Sequence, residues 1–335
     1  MRYKVLMMGC GNIAGRFDME RPVSAWPVTQ AGAFRQHGGF ELTACIDPNE
    51  WTRRAFALHW GIPRHAASIE SLGAQPGEFD VISICSPTAF HHQNLETALK
   101  LMPRVIFCEK PLTPSVEQTD FWQRVCVQQG VCLVVNYTRQ WDPSVQRIVE
   151  EVREGAWGAV RSAVGFYNKG VLNNGGHLID LLLRLLGPIS VVAATAPVFD
   201  HWEDDPTVAG LLISEQGNVP ISLAPSHAKD YALFELELVC ELGVIRMRSG
   251  GLKWDLRRTK ANQHFNGYRD LSDAVAQDGE YLQAMTLAAK QIHDFLDHGW
   301  APSSPGTNAL AVQKICHRLR VAATQAAPSM TESSI

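Results

Sequence analysis

The chain has 335 residues, of which 46% are hydrophobic and 19% are charged, and its formal net charge is −4. This length allows two domains, each with enough apolar residues to bury a sizeable core. The weak negative charge and the absence of a basic block argue against nucleic acid or an anionic membrane surface as a partner. No stretch approaches the roughly 20 apolar residues that a membrane span needs.

Location and redox state are predicted from the first residues and from the cysteines. The apolar run after Met1 is too short for a signal peptide, which favours the cytoplasm. The eight cysteines form no C-x-x-C pair, and most lie in apolar runs that are typical of strands. This pattern is typical of reduced, buried thiols, so we expect neither a disulfide framework nor a metal site.

A buried strand is predicted over residues 3–8, and a glycine loop follows it at once. The run GCGNIA, residues 9–14, fits the G-x-G-x-x-A pattern of dinucleotide-binding turns. Gly9 permits the tight turn, Gly11 lets a pyrophosphate approach the backbone, and Ala14 lets the following helix pack on the strand. The N–H groups at the start of that helix can hold phosphates. The alternative is a Gly-rich turn without a ligand.

An insertion interrupts the helix that should follow this loop. Residues 16–27 have no helical period and include Pro22 and Pro27, and the helix resumes near Thr29. The insertion is therefore predicted close to the mouth of the cofactor site, either as a cover or as a surface loop.

Asp47 ends the second predicted strand, residues 40–46. A carboxylate here can accept hydrogen bonds from both hydroxyls of the adenine ribose and would repel a 2′-phosphate, which favours NAD over NADP. Arg53 and Arg54 on the next helix weaken that preference. Asp47 could also cap the helix that starts near Glu50.

Four further strands are predicted in the first domain, which we place at residues 1–140. They cover residues 63–66, 80–85, 104–108 and 131–135, and helices lie between most of them. Strands that alternate with helices indicate βαβ units and a doubly wound parallel sheet.

A charged pair and a proline end the strand at 104–108. Pro111 disfavours helical angles at Lys110, which keeps that lysine extended. Ligands of open parallel sheets lie outside the carboxyl ends of the strands, so Lys110 points where a ligand would be. A surface Glu109–Lys110 pair without function is the alternative.

The pattern changes in the second domain, residues 141–330. Helices are predicted at 143–154, 175–186, 278–298 and 307–325, with seven strand-like runs between residues 160 and 257. Turn residues separate several of the runs, so neighbouring strands are expected to be antiparallel. The prediction is an α+β domain with an open sheet.

His177 opens the apolar helix of this domain, with Asp180 three residues later on the same face. Histidine gives or takes a proton near neutral pH. A lysine and a histidine that meet at one hydroxyl, Lys110 and His177, would suit proton removal during hydride transfer to a nicotinamide. A capping or core histidine is the alternative.

Taken together, these motifs resemble those of the Gfo/Idh/MocA oxidoreductases, the family of glucose–fructose oxidoreductase and inositol dehydrogenase. The motifs are Gly9-x-Gly11-x-x-Ala14, Asp47, Ser86-Pro87-Thr88-Ala89-Phe90-His91, Glu109-Lys110-Pro111, Asn136-x-x-Arg139 with Pro143, and Gly175-x-His177-x-x-Asp180. The resemblance implies an N-terminal Rossmann domain and an open-faced α+β domain, with the substrate between the second sheet and the nicotinamide. It also implies a cis Lys110–Pro111 bond.

The resemblance also implies roles for single residues. Lys110 would bind the reacting hydroxyl and His177 would be the acid/base. Many polyol dehydrogenases of the family have Asp at the position of Asn173. The Asn in this chain is similar to that in family members that oxidise nucleotide-linked sugars, and it would position the substrate. The predicted cofactor-binding residues are Gly9, Gly11, Asn12, Ile13, Ala14, Asp47, Ser86, Pro87, Thr88, His91, Glu109, Lys110 and Arg139.

The predicted function is an NAD(H)-dependent dehydrogenase acting on a secondary hydroxyl of a sugar, polyol or sugar nucleotide. Asn168, Lys169, Asn173 and the loop 264–278 are candidates for the substrate pocket. The alternatives are a dinucleotide-binding sensor without turnover and a lyase or hydrolase that keeps NAD bound. Because an open sheet face usually needs a partner, we expect a homodimer or homotetramer.

Overall fold

Alternating strands and helices at the start of the chain build a parallel sheet, and a second, mostly antiparallel sheet follows. The computed structural model describes residues 2–326. These divide into two units: residues 2–143 with 282–311, and residues 144–281 with 312–326. The division differs from the predicted boundary near residue 140 in one respect, because residues 282–311 group with the first unit.

The first unit contains a six-stranded parallel sheet. Its strands are β1 (Tyr3–Met8), β2 (Phe40–Ile46), β3 (Arg64–Ala66), β4 (Val81–Ile84), β5 (Val105–Cys108) and β6 (Cys132–Val135). Its helices are α1 (Phe17–Met19), α2 (Gln30–His37), α3 (Glu50–Trp60), α4 (Ile69–Leu72), α5 (His91–Lys100) and α6 (Val116–Gln128). The strand order β3-β2-β1-β4-β5-β6 reverses between β1 and β4, the point at which doubly wound sheets bind ligands.

The helix α7 (Pro143–Arg153) opens the second unit, whose sheet has nine strands. These are β7 (Val160–Tyr167), β8 (Ile189–Ala194), β9 (Gly210–Ser214), β10 (Pro220–Pro225), β11 (Phe234–Cys240), β12 (Gly243–Arg248), β13 (Lys253–Ala261), β14 (Arg269–Leu271) and β15 (Val275–Asp278). The helix α8 (Gly175–Leu186) packs on β7, where the missing side chain of Gly165 makes room for Leu178. The predicted fold class, a Rossmann domain followed by an α+β domain, is confirmed.

Two helices close the chain, α9 (Ala284–His298) and α10 (Gly306–Ala326). Apolar residues of α9, among them Met285, Ala288 and Ile292, belong to the core that also holds Val5 and Phe107 of the parallel sheet. Burial of this face explains why α9 groups with the first unit.

The structure corrects three details of the predicted second domain. The strands β14 and β15 were not predicted, because they are short, polar and largely exposed and so carry no alternating apolar pattern. The helix predicted from residue 278 begins at Ala284. Neighbouring strands are antiparallel except for the pair β7–β10, which is parallel.

Candidate active site

The glycine loop lies where β1 and β4 end side by side. Gly9 has φ +94°, and a Cβ on it would lie 2.7 Å from the backbone nitrogen of Ser86, so only glycine fits this position. Residues Asn12–Arg16 form a single helical turn beyond the loop, in which Ala14 is buried. A Cβ on Gly11 would meet nothing within 4 Å, so the backbone there faces open space.

Asp47 is held against this loop by backbone N–H groups. Its Oδ2 accepts from Cys10 at 2.9 Å and its Oδ1 accepts from Asn49 at 2.8 Å. The alternative that Asp47 caps the next helix is wrong, because Asn49 caps α3 by accepting from the backbone of Thr52. Each carboxylate oxygen has a further lone pair, so Asp47 retains the capacity to accept ribose hydroxyls.

The two arginines that weakened the preference for NAD have partners inside the protein. Arg53 donates to the carbonyls of Asp47 and Pro48, at 3.3 and 3.4 Å. Arg54 forms an exposed ion pair with Glu50 one helical turn away. The Nε atom of Arg53 has no hydrogen-bond partner among the described residues, so these contacts do not decide between NAD and NADP.

Glu109 and Lys110 follow β5 at the same edge of the sheet. Glu109 is 7% exposed, and its Oε1 accepts from the amides of Gln30 at 2.8 Å and Asn136 at 2.7 Å. Burial raises the pKa of Glu109, while these hydrogen bonds and the charge of Lys110 oppose that rise. Lys110 is half-buried, and the Lys110–Pro111 bond is cis, as the resemblance implies.

His91 lies beneath the Ser86–Thr88 turn and is completely buried. One ring nitrogen lies 2.8 Å from the carbonyl oxygen of Ser86, and the other lies 3.0 and 3.1 Å from those of Pro111 and Leu112. Its ring therefore connects two loops of the sheet edge. We propose a positioning role for His91 in place of the predicted direct contact with the cofactor.

The rest of this turn and the predicted arginine are placed as follows. Pro87 is exposed and Thr88 begins a short 3-10 turn, so both reach the surface of the sheet edge. Arg139 is buried in the turn Thr138–Trp141 that follows β6. Three residues earlier, Asn136 is buried too, and its Oδ1 atom has no hydrogen-bond partner among the described residues.

A dinucleotide fits the residues of this sheet edge. Gly11 faces open space where a pyrophosphate would approach the backbone, and Asp47 lies within hydrogen-bond reach of the same loop. The buried Oδ1 of Asn136 offers an acceptor beside Glu109. These are the features of a dinucleotide-binding domain.

The second unit holds the other predicted catalytic residues on one loop and one helix. Residues Gly170–Asn174 form a single turn that runs directly into α8, whose first turn carries His177, half-buried, while Asp180 is buried. Asn173 donates from Nδ2 to the carbonyl of Lys169 at 3.1 Å. Lys169 has φ +61°, which is unusual for a residue with a side chain.

Two buried aspartates, which sequence reasoning missed, hold this loop. Asp205 accepts from the backbone N–H groups of Leu172 and Asn173, both at 2.9 Å. Asp200 accepts from the backbone of Lys169 at 2.9 Å and from the hydroxyl of Thr207 at 2.7 Å. In the sequence, the only indication of this role is that both aspartates lie shortly before the strand β9.

Asn168 was a candidate for the substrate pocket, and the structure corrects this. It is fully buried, and its amide donates to the hydroxyl of Ser226 at 3.0 Å and to the carbonyl of Tyr231 at 2.6 Å. Its role is to join β7 to the loop before β11. The loop 264–278, the other unplaced candidate, contains β14 and β15.

Residues 2–326 contain neither a membrane-spanning helix nor a grouped metal site. No helix in this range has the length and apolar character to cross a bilayer. No three His, Cys, Asp or Glu side chains in it are grouped as a metal site.

The fold and the glycine loop are those of a dinucleotide-binding domain, and comparison with known proteins agrees with this class. Residues 3–137 match the model of the GFO_IDH_MocA family, described as an oxidoreductase family with an NAD-binding Rossmann fold. The first domain therefore belongs to the Gfo/Idh/MocA family, as its motifs suggested.

Individual relatives extend the likeness beyond the first domain. D-apiose dehydrogenase of Paraburkholderia graminis is 25% identical over 258 residues, which span 71% of this chain and 64% of that protein. The WlbA dehydrogenase from Bordetella pertussis, in complex with NADH and UDP-GlcNAcA, has a TM-score of 0.75 at 17% identity, with 97% of each chain covered. A super-repressor mutant of Gal80p from Saccharomyces cerevisiae has a TM-score of 0.79 at 15% identity and covers 97% of this chain and 96% of that one.

Proposed function

We propose that the protein is an NAD(H)-dependent dehydrogenase that transfers hydride between the cofactor and a secondary hydroxyl or ketone of a sugar, polyol or nucleotide sugar. The observation that carries the proposal is Lys110 at the carboxyl end of β5, next to the buried Glu109 and on the same edge of the sheet as the glycine loop that follows β1. The sugar dehydrogenases among the relatives support the substrate class.

The roles of the residues follow from their chemistry. A bound nicotinamide supplies the hydride acceptor. Lys110 donates a hydrogen bond to the reacting oxygen, and His177 accepts the proton that the hydroxyl releases. Asn173, held by Lys169 and Asp205, orients a neighbouring hydroxyl of the substrate. Neither an amide nor a lysine ammonium can act as a base, so proton removal falls to His177.

NAD is the proposed cofactor rather than NADP. Asp47 lies against the glycine loop, and Arg53 is engaged with backbone carbonyls. Asp47→Asn should raise the Kd for NAD about 10-fold, since a hydrogen bond to a charged group contributes about 1.5–3 kcal/mol. The ratio of affinities for NADP and NAD should rise, because the carboxylate no longer repels a 2′-phosphate.

Fluorescence titrations with NADH and NADPH measure both affinities. Glu41→Gln is the matched control, since Glu41 is an exposed carboxylate near the start of the same strand β2 that Asp47 follows. An unchanged ratio in Asp47→Asn would remove Asp47 as the determinant of cofactor choice.

The proposed function is tested by a screen of sugars, polyols and sugar nucleotides with NAD and with NADP, followed at the nicotinamide absorbance. Turnover of one substrate class with a fitted KM supports it. NADH binding without turnover of any compound would favour the sensor, for which the likeness to Gal80p is the specific observation. Cofactor that stays bound through purification, with product but no net NADH, would favour the lyase or hydrolase.

We also propose that a second copy of this chain covers the outer face of the nine-stranded sheet. Glu237, Arg246 and Asp255 lie opposite one another on neighbouring strands, and none is buried. Within the chain Arg246 pairs with Glu235, and Asp255 pairs with Arg248. Exchange of such pairs across a two-fold axis would join two copies. Arg246→Glu should shift the protein towards monomer in light scattering. We place the enzyme in the cytoplasm, where its eight cysteines, none of which forms a disulfide in the described part of the chain, stay reduced.

A further inference from the structure

The insertion before α2 is closed into a fixed loop by one carboxylate. Asp18 in α1 accepts from the backbone N–H groups of Val28 at 3.1 Å and Thr29 at 3.0 Å, and from the Thr29 hydroxyl at 2.5 Å. Its side chain is 8% exposed and also pairs with Arg21. Charge-assisted hydrogen bonds of this kind are strong, so both ends of the insertion are held together.

This loop sets the first residue of α2. The Thr29 hydroxyl that binds Asp18 also caps the helix by accepting from the backbone of Gly32 at 3.1 Å. Glycine is required at position 32, since a Cβ on Gly32 would lie 2.3 Å from the Asp18 carboxylate. The helix consequently begins at Gln30, and its first side chain turns into the protein.

Gln30 is completely buried at the carboxyl edge of the sheet. Its Oε1 accepts from the hydroxyl of Ser83 at 2.7 Å, and its Nε2 donates to Oε1 of Glu109 at 2.8 Å. Because an ionised carboxylate can only accept, the Nε2 end of the amide faces Glu109, and the Ser83 hydroxyl donates to the Oε1 end. Gln30 therefore connects the start of α2 with the residue that precedes Lys110.

Glu109 depends on this contact because it is a buried carboxylate with few donors. Both hydrogen bonds to its side chain, from Gln30 and Asn136, go to the same oxygen. The titratable groups that face it are Lys110, His91, Cys85 and Cys108. Loss of either amide leaves the ionised carboxylate with a single donor in a dry site.

We propose that Gln30 is a positioning residue that keeps Glu109 ionised and oriented beside Lys110. The insertion, closed by Asp18, fixes the start of α2 and so holds Gln30 in this position. The effect on turnover depends on the proposed dehydrogenase function. The effect on Glu109 itself does not, so the two can be tested separately.

The first experiment titrates Glu109 in the protein without cofactor, by infrared difference spectroscopy of the protonated carboxyl band, which Glu109→Gln removes. Gln30→Met keeps the length of the side chain but not the amide, and it should raise the midpoint for Glu109 by about one pH unit. Gln36→Met is the matched control, since Gln36 is exposed on the same helix and contacts Thr286. Its midpoint should equal that of the wild type.

Gln30→Glu is the second variant, because it preserves shape should Gln30→Met fold poorly. A second carboxyl opposite Glu109 disfavours ionisation of both, so the midpoint for Glu109 should rise further than in Gln30→Met. Asp18→Asn weakens the hydrogen bonds that close the insertion. It should raise the midpoint for Glu109 by a smaller amount than Gln30→Met does.

The second experiment measures kcat against pH with the substrate found in the screen. Gln30→Met should lose more activity than the wild type at acid pH, where protonated Glu109 no longer holds Lys110, while Gln36→Met matches the wild type. A midpoint for Glu109 that does not move in Gln30→Met or Gln30→Glu would overturn the proposal. A wild-type protein that binds no NADH would instead refute the dehydrogenase function, and the infrared titration would still decide the role of Gln30.

Discussion

Lys110→Met should lower kcat by about 10²–10³-fold, with little change in the Kd for NADH. A group that stabilises charge on the reacting oxygen in the transition state contributes on this scale. Methionine keeps the length and packing of the lysine stem but cannot donate a hydrogen bond. The measurement is kcat and KM with the best substrate of the screen, together with a fluorescence titration of NADH.

Lys100→Met is the matched control, because Lys100 lies on the surface of α5 and pairs only with Glu96. Its kcat should equal that of the wild type. Turnover by Lys110→Met at the wild-type rate would show that Lys110 does not touch the reacting oxygen.

His177→Gln extends the same test to the second unit. If Lys110 and His177 act on one proton transfer, the double variant should lose little more activity than the worse single variant, because groups that act as a unit are not additive. Fully additive losses would mean that the two side chains serve different steps.

Asp205→Asn should lower the free energy of unfolding by about 2–3 kcal/mol and reduce kcat/KM by about 100-fold. The carboxylate accepts two backbone N–H groups, one from Leu172 and one from Asn173, and is only 8% exposed. An amide has one acceptor oxygen, so one N–H of the loop loses its partner. The loop that carries Asn173 and leads to His177 should then lose its fixed geometry.

The measurements are thermal unfolding and steady-state kinetics at a temperature at which the variant is folded. Asp204→Asn is the matched control, since the neighbouring Asp204 side chain is exposed and only its backbone carbonyl has a hydrogen-bond partner, Arg320. A variant that is less stable but keeps the wild-type kcat/KM would leave Asp205 with a purely structural role.

Local patterns were enough to locate most elements of the first unit. Apolar runs of four to seven residues predicted the strands, and the glycine loop and the Glu109–Lys110 pair were recognised because each follows such a run directly. The contacts that support these residues could not be predicted in this way. Gln30 and Glu109 are 79 positions apart, and Asp205 lies 32 positions beyond Asn173.

The residue sequence alone determined the fold class and predicted the place of the dinucleotide site and the candidate residues Lys110 and His177, because periodicity, turn residues and short motifs are local properties. The candidate Asn173 came from the family resemblance. Only the tertiary structure decided that His91 and Asn168 brace loops, that Asn49 rather than Asp47 caps α3, and that α9 belongs to the first unit. It also showed that the insertion, through Asp18 and Thr29, fixes the start of the helix that carries Gln30. The physical reason is that a polar side chain has several possible partners, and burial at a distant site selects among them.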